Sequence, residues 1–532
     1  MSPAMTTTFS CEPWSRETMA SVSSHRLLLP DQLVVVVYLL GMVGLGAYFF
    51  RKSRTVEGFS VGSRSMPGWA LGLSILGTYL SSITFLAYAG DAYKSNWSRF
   101  VFSLTIPMVC LVATFVFVPL YRRKLRISAY QYFEERFRPW ARSYAALSLV
   151  LLQLGRVGAV LYLVAVALSE FIGVDVRWII VSLGVAVTVY TVLGGIEGVV
   201  WTDVVQVFVL LGGGLACAGI LLFSMPKGPG QIFSVGSANG KFGLGGWSLS
   251  LALPTFWIIF MYGILENLKN FGVDQNYIQR YLAAKSNREA KKALWTGGLI
   301  YVPVSALFLF IGTALFAYYS VHSGKLPSDL HNPANADRIF PFFIVSQLPM
   351  GVRGLLIAAI LAAAMSTIDS SLNSSATVCV VDFYRRHFRR EASDRRSLSA
   401  LRIVTVALGL LGTAAALAMI KAKSALDVWW QISAIFGGGM LGLFLLGLLI
   451  KRAGHISALS GVIVSITVIA WATFARGLPE NWAWLECPFH GYLTGLLGAA
   501  SLIVVGAVVA FLIPQRGKAG PQADKTFLGE LK

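Results

Sequence analysis

Charged residues are scarce in this chain. Only 13% of its 532 residues are Asp, Glu, Lys or Arg, and 56% are hydrophobic, whereas an ordinary soluble domain carries about 25% charged residues. Apolar stretches of about 20 residues, the length at which a helix crosses a bilayer, recur along the chain. The composition excludes a set of soluble domains, and also a β-barrel, whose strands would alternate over short segments. It predicts an all-α polytopic protein embedded in the lipid bilayer.

Three further absences narrow the function. The five cysteines show no CxxC spacing, so no metal or disulfide framework is predicted. No GxxxxGK[ST] segment occurs, which excludes an ATP-driven motor within this chain. The six histidines all fall in predicted tails or loops, which leaves a histidine-based membrane enzyme without its catalytic group. We therefore expect a secondary transporter or a channel, not an enzyme, and no organic cofactor.

Positive charge is distributed unevenly among the loops. A net charge of +19 on a soluble protein would suggest a nucleic-acid partner, but in a membrane protein Lys and Arg mark cytoplasmic loops. Hydropathy indicates roughly thirteen spans, and every second loop between them is basic. This alternation predicts a multi-pass plasma-membrane protein with its N-terminus outside and its C-terminus in the cytoplasm. We expect no nucleic-acid partner and a monomer.

The predicted spans define the domain organisation. A mobile extracellular tail is expected at 1–30, a transporter domain at 31–514 and a cytoplasmic tail at 515–532. Polar residues interrupt the second span, WALGLSILGTYLSSITFLAYAG, and the seventh, FWIIFMYGILENLKNFG. These spans begin two candidate halves, at about 67–223 and 249–450, and interruptions in matching positions indicate a transporter binding site. The alternative is that the small residues only allow close helix packing.

The ninth predicted span carries a polar face. Its polar side chains recur at the i, i+3, i+4, i+7 spacing of one helical face, and such a face must meet protein or water rather than lipid. Hydroxyl oxygens suit a hard cation such as sodium, although Ser and Thr also bond back to their own helix. The cluster as a whole favours a cation site. Its members are Ser366, Asp369, Ser370, Asn373 and Thr377.

Four separated segments resemble the sodium:solute symporter family. They are FSVGSRSMPGWALGLS at 59–74, GGIEGVVWTDVVQVF at 194–208, NYIQRYLAAKS at 276–286 and AAAMSTIDSSLNSSATVCVVDFY at 362–384. Within that family, LSSITF, LGRV and GGIEGVVWTD are most similar to the bacterial sialic-acid transporters. The resemblance implies a LeuT-like fold with a five-plus-five inverted repeat, one preceding helix and two trailing helices. It also implies that inward sodium flow is coupled to solute uptake.

The resemblance also implies a ligand set for the family's shared sodium ion. In this chain that set comprises three backbone carbonyls, in two spans, and two hydroxyls. The carbonyls belong to Gly77, Leu80 and Ala363, and the hydroxyls to Ser366 and Thr367.

A second sodium site is the next expectation from the resemblance. Relatives with a second ion hold it at positions that correspond here to Asp203, Ser366, Asp369 and Ser370. Asp369 stands where the sialic-acid branch would have a hydroxyl, and two carboxylates repel unless a cation lies between them or one is protonated. Asp369 therefore either strengthens a second cation site or makes it sensitive to protons. Alternatively, it pairs with a basic group or caps a local backbone break.

Arg156 is the candidate for substrate binding. It lies deep in the fourth predicted span, where an arginine must pair or face a cavity, and its planar guanidinium suits a carboxylate. By resemblance, the matching arginine of sialic-acid transporters holds the substrate's carboxylate. The alternative is a structural ion pair with Asp203 or Glu266.

Neighbouring positions match the sialic-acid branch only in part. Ser81 and Thr84 match hydroxyls that contact substrate, and Asn267 lies where sodium/sugar relatives line the inner side of their site. Tyr79 and Ser103 are also candidate contacts, but they stand where a small polar residue and an amide are expected.

The sequence thus predicts sodium-coupled import of a small organic solute, an anionic sugar acid such as sialic acid, with one or two Na⁺. Two alternatives remain open: a symporter for a neutral sugar or another small solute, and a channel or sensor on the same fold.

Overall fold

The computed structural model describes residues 28–50, 53–124, 127–389, 391–420, 425–476 and 479–513. The predicted tails at 1–30 and 515–532 lie almost wholly outside these ranges. The described residues are overwhelmingly helical, and the β-type pairing among them is a single bridge between Met66 and Ala284. The predicted all-α class therefore holds for the part of the chain that the structure describes.

Ten helices make up the first half of the described chain. In order they are α1 (Leu29–Phe49), α2 (Val56–Val61), α3 (Gly68–Tyr79), α4 (Ser82–Lys94), α5 (Phe100–Leu104), α6 (Ile106–Val112), α7 (Val118–Lys124), α8 (Gln131–Phe137), α9 (Pro139–Ile172) and α10 (Val176–Phe223).

The second half contributes another ten. They are α11 (Gly230–Ala238), α12 (Phe256–Val273), α13 (Gln275–Ala283), α14 (Asn287–Val321), α15 (Ala336–Gln347), α16 (Val352–Val378), α17 (Asp394–Met419), α18 (Ala425–Leu449), α19 (His455–Phe474) and α20 (Thr494–Leu512).

The number of membrane spans differs from the roughly thirteen that hydropathy suggests. Within the described ranges, ten helices are long and apolar enough to cross a bilayer, or eleven if the bent pair α3–α4 is one span. Two features account for much of the difference. The 48-residue helix α10 runs through two predicted spans, and α12 carries charged residues near its end.

Helix α10 changes direction at Gly195. This residue has φ 55° and ψ −156°, a conformation that side chains with a Cβ rarely adopt. A Cβ there would also lie 3.0 Å from the Cα of Phe59. Glycine therefore both permits the break and lets α2 pack directly on α10.

Helix α16, which carries the polar face, lies at the centre of the molecule. It packs against α1, α3, α9 and α10, and nearly all of its residues are buried. Its beginning is fixed by Asp31 of α1, whose Oδ1 accepts hydrogen bonds from the backbone N–H groups of Gly351 (2.8 Å) and Gly354 (2.9 Å). A carboxylate at a helix N-terminus satisfies unpaired donors and complements the helix dipole.

Close packing holds the broken helix α3 against α14. A Cβ at Gly72 would lie 2.6 Å from the Cβ of Thr296, and one at Gly297 would lie 2.6 Å from Ile75. Small residues allow membrane helices to approach this closely. The packing interpretation of glycine is therefore correct at these positions, while the break itself lies further along the chain.

Candidate functional site

The break between α3 and α4 exposes backbone groups inside the protein. Leu80 and Ser81 adopt extended conformations, with ψ of 106° and 166°, and the flanking helical segments are bent by 56°. The Ser81 Oγ caps α4 by accepting from the Thr84 N–H at 3.4 Å. Where a membrane helix is interrupted inside protein, carbonyls of its last turn become available to ions or side chains.

The expected sodium site lies where α16 meets this break, and Ser366 makes the contact between them. The Ser366 Oγ lies 3.0 Å from the Gly77 carbonyl oxygen and 3.2 Å from that of Ala363. The Thr367 Oγ1 also bonds to the Ala363 carbonyl, at 3.2 Å. Leu80 follows in the extended segment and is buried. The set offers neutral carbonyl and hydroxyl oxygens with no charged ligand, a donor set that suits a hard monovalent cation.

A second buried cluster surrounds Arg280, whose side chain is fully buried. Its Nη2 lies 3.1 Å from Asp203 Oδ2 and 2.6 Å from Ser370 Oγ. Its Nε lies 2.8 Å from Ser74 Oγ. Its Nη1 donates to the Asn276 carbonyl at 2.6 Å. The guanidinium thus links α13 to α3, α10 and α16.

The position of Arg280 differs from what the pattern of basic loops predicts. Hydropathy places this residue in one of the basic, cytoplasmic loops between spans, but every residue of α13 is buried. The available signal was local: Arg280 stands among Tyr277, Ile278, Tyr281 and Leu282 rather than within a run of charges. Hydropathy missed α13 because the helix is short and mixes polar with aromatic residues.

Asp369 faces a different neighbour from Ser370. Its Oδ2 accepts from the Tyr190 hydroxyl at 2.8 Å, while Ser370 contacts Arg280 and, at 3.1 Å, the Thr78 hydroxyl. Asp369 forms no ion pair within the described ranges, so the alternative of a basic partner is not supported. Its Oδ1 has no hydrogen-bond partner, and neither has Asp203 Oδ1.

The charges of this cluster do not balance. The cluster contains two fully buried carboxylates, those of Asp203 and Asp369, but one buried guanidinium, that of Arg280. Its formal charge is −1 if both acids are ionised. The amide of Gln206, also buried, makes no hydrogen bond either. Unpaired buried charge is costly in a membrane protein. The arrangement therefore suits a monovalent cation or a proton between the carboxylates.

A cavity opens beside the break, on the other side from the sodium site. Its wall includes Arg156 from α9, polar side chains from the break and from α12, and several tyrosines. Among the predicted contacts, Arg156, Tyr79, Ser81 and Thr84 line it.

Two other predicted contacts lie behind this wall. Ser103 and Asn267 are fully buried and do not line the cavity. The Asn267 amide is engaged by the Tyr79 hydroxyl and, at 2.9 Å, by the Thr105 Oγ1.

Arg156 forms no salt bridge within the described part of the chain. Its Nη2 donates to the Thr78 carbonyl at 2.9 Å, and the rest of its guanidinium lies at the cavity wall. Both acids that sequence reasoning offered as partners are engaged elsewhere, Asp203 with Arg280 and Glu266 with Lys269. Neither of these two ion pairs with Arg156 is therefore formed. The Asp274 carboxylate and the Tyr277 hydroxyl, which line the same wall, do interact with the guanidinium.

The cavity also contains charges that sequence reasoning did not place there. The Glu266–Lys269 ion pair of α12 lines the wall, as does Arg99, which pairs with Asp91. Asp274 also lines the wall, with its carboxylate 3.2 Å from the Gln153 amide nitrogen. Among the described residues, the basic groups Arg99 and Lys269 of this wall form salt bridges and Arg156 does not.

A family model for the sodium:solute symporter family matches residues 59–465. The chain belongs to the sodium:solute symporter family. The symporter is 34% identical over 482 residues to the sodium/sialic acid symporter SiaT of Proteus mirabilis, covering 90% of this chain and 94% of the relative. It is 33% identical over 484 residues to the sodium/sialic acid symporter NanT of Aliivibrio fischeri, covering 90% and 92%.

Solved structures agree with these relatives. The symporter superimposes with a TM-score of 0.85, at 32% identity, on the substrate-bound outward-open state of a Na⁺-coupled sialic acid symporter, covering 92% of this chain and 98% of that one. The nucleobase-cation symporter Mhp1, at 17% identity and a TM-score of 0.56, shares the fold alone. The predicted LeuT-like helical fold, sodium as coupling ion and a transporter rather than an enzyme are confirmed.

Proposed function

We propose that this symporter imports a small carboxylated solute, a sugar acid such as sialic acid, together with sodium. The observation that carries the proposal is the Arg156 guanidinium, which lies in the wall of a cavity between the helices and forms no salt bridge among the described residues. Such a group binds a carboxylate through charge-assisted hydrogen bonds. The similarity to SiaT and NanT, which are sodium/sialic acid symporters, supports the same substrate class.

The first sodium ion is assigned to Gly77, Leu80, Ala363, Ser366 and Thr367. The contact of Ser366 of α16 with the Gly77 carbonyl, where α3 ends, supports this assignment. Sodium bound there would fix the broken helix against α16 and so favour one conformation of the cavity. Ser81, Thr84 and Tyr79 would contact the solute beside Arg156.

The second cation is assigned to Asp203 and Asp369, because Arg280 balances only one of these two carboxylates and each has one oxygen without a hydrogen-bond partner. Ser370 contributes less than the sequence implies, because its hydroxyl is already held by Arg280. Ser366 is shared with the first ion site. A Na⁺ or a proton between the carboxylates would complete the charge balance.

Membrane orientation and oligomeric state complete the proposal. The alternation of basic and non-basic loops supports an external N-terminus, a cytoplasmic C-terminus and residence in the plasma membrane. We also propose that the transporting unit is a monomer. Labelling of tags at the two termini in intact cells tests this orientation. Only the N-terminal tag should be accessible from outside, and an accessible C-terminal tag would disprove the orientation.

Uptake into proteoliposomes tests the proposed substrate. Labelled N-acetylneuraminate should accumulate against its gradient only under an inward sodium gradient, which separates a symporter from a channel. Arg156→Gln should reduce kcat/KM at least about 30-fold, since truncating one partner of a buried charge pair costs about 2 kcal/mol or more. Arg177→Gln, at the exposed start of α10, is the matched control. Competition by glucose but by no acid would defeat the Arg156 assignment.

A smaller acid is the second candidate for the same site. Tyr79 lines the cavity where the sialic-acid branch would have a small polar residue, so the available space is reduced. The mouse sodium-coupled monocarboxylate transporter 1 is 29% identical over 468 residues, covering 85% of this chain and 75% of that protein. Lactate and pyruvate therefore belong in the competition panel beside sialic acid.

A further inference from the structure

Three consecutive residues at the end of α3 contact three different parts of the protein. The Gly77 carbonyl meets Ser366 of α16 at 3.0 Å. The Thr78 carbonyl accepts from Arg156 of α9 at 2.9 Å. The Tyr79 hydroxyl contacts α12. One short segment of α3 therefore joins the candidate sodium site, the candidate substrate arginine and helix α12.

The Tyr79 hydroxyl is held by two amides of α12. It donates to the Asn267 side-chain oxygen and accepts from the Asn270 Nδ2 at 3.1 Å. Asn267 is in turn held by Thr105 at 2.9 Å. A buried hydroxyl with both functions satisfied is costly to detach, because each group left unpaired loses its solvation without compensation.

The Tyr79 ring is fixed as firmly as its hydroxyl. Its centroid lies 5.0 Å from that of Tyr301, 5.3 Å from Tyr277 and 5.6 Å from Phe271. Aromatic pairs at these separations are attractive beyond simple burial. The Tyr79 side chain thus connects α3 to α12 through fixed contacts, and it also lines the cavity.

We propose that Tyr79 is a positioning residue that links the broken helix α3 to α12 and transmits sodium binding to the substrate cavity. Sodium at the Gly77 and Leu80 carbonyls would set the backbone on either side of Tyr79. The side chain would then hold α12, with its cavity-lining Asn270 and Glu266, at the right distance from Arg156. The inference rests on the proposed function, because it presupposes sodium at α3 and a solute at Arg156.

Tyr79→Phe tests this role, since it removes the hydroxyl and leaves the ring. The measurement is the dissociation constant of the solute, by isothermal titration calorimetry on purified protein, without sodium and with saturating sodium. The ratio of the two constants reports the coupling between ion and solute. We expect Tyr79→Phe to reduce this ratio by about three- to tenfold, the effect of one neutral buried hydrogen bond. Tyr48→Phe, whose ring is exposed on α1, should leave it unchanged.

The possible results separate the inference from the proposed function. An unchanged ratio in folded Tyr79→Phe protein would overturn the link. So would equal weakening of solute binding at both sodium concentrations, because Tyr79 would then act only through its own contact with the solute and not through sodium. A wild-type protein that binds the solute equally well with and without sodium would instead refute the proposed function.

A double-mutant cycle provides an independent measurement. If Tyr79 acts through α12, the Tyr79→Phe, Asn270→Ala double variant should have nearly the same sodium ratio as either single variant. Multiplicative effects would show that the two residues act separately, and would also overturn the proposal.

Discussion

The Oδ2 of Asp203 lies 3.1 Å from the Nη2 of Arg280, and both side chains are fully buried. This ion pair joins α10 to α13 at the centre of the helical core, and Ser74 and Ser370 complete the hydrogen bonds of the guanidinium. A buried pair of this kind is weak evidence for stability, but removing one member leaves the other as an uncompensated charge.

Loss of either partner should therefore destabilise the protein. We expect Arg280→Met to lower the free energy of unfolding by about 3–5 kcal/mol, and the Asp203→Asn, Arg280→Met double variant to recover part of that loss. Thermal unfolding of purified protein measures both. The surface pair Arg64–Glu57 offers a matched control, since Arg64→Met should cost about 1 kcal/mol or less. Equal effects of the two arginine substitutions would contradict the structural role of Arg280.

The second-cation assignment predicts the behaviour of Asp369→Ser. The substitution removes one of two buried carboxylates that share a single positive charge, that of Arg280. The sodium half-saturation concentration should therefore rise roughly tenfold. The Hill coefficient should fall, or the pH profile of transport should change if the cation is a proton. Sodium titration of uptake at several pH values measures all three, with the exposed Glu391→Gln as control. Hill coefficient, sodium affinity and pH profile all equal to wild type would remove the assignment.

The first sodium site predicts a separate result. Ser366→Ala removes a hydroxyl that bridges the Gly77 and Ala363 carbonyls, and should raise the sodium half-saturation concentration without changing the solute's kcat at saturating sodium. Thr467→Ala is suitable as a control, because Thr467 bonds back to its own exposed helix at 3.1 Å. A Ser366→Ala variant with unaltered sodium affinity would show that this hydroxyl serves only helix packing.

Asp337 of α15, outside the spanning helices, predicts a pH dependence of stability. Burial, and then the neighbouring Asp91 charge, raise the pKa of Asp337 to about 7, although Arg99 and Lys94 oppose the shift. A carboxyl whose pKa is raised on folding stabilises the protein at low pH, and that contribution is lost as the pH rises through 7.

Thermal unfolding of Asp337→Asn checks this expectation. The melting temperature of the wild type, relative to the variant, should fall as the pH rises from about 5 to about 8. Asp329→Asn, in the preceding 3₁₀ segment, should retain the wild-type dependence. Parallel curves for wild type and Asp337→Asn would exclude Asp337 as the source.

Much of the site was predictable because polar residues inside apolar runs are a strong signal. The break near Gly77, the polar face that includes Ser366 and the cavity position of Arg156 all follow from it, whereas Thr367 was implied by the family resemblance alone. The directions of adjacent side chains were not predictable. Asp369 and Ser370 were assigned to one face, but successive helical residues are rotated by about 100°. Asp369 therefore meets Tyr190 while Ser370 meets Arg280.

Tertiary packing determined the remaining differences. Arg280 reads as a loop cation because its helix is too short for a hydropathy window, and only the surrounding helices make it buried. Ser103 and Asn267 were predicted to contact the solute, but both side chains are fully buried and neither lines the cavity. The number of spans depends on Gly195. The hydrogen bonds of α10 continue past this residue, but the helix axis changes direction there, so α10 counts as one helix or as two spans.

Arg280 also has an electrical consequence. Its positive charge is fixed to α13 and stays in the protein through every cycle, so only the ions and the solute carry charge across the membrane. One sodium ion with one monocarboxylate would move no net charge, whereas a second cation, Na⁺ or a proton, would add one positive charge inward. Membrane potential would then accelerate uptake if Asp203 and Asp369 hold a cation that travels with the solute.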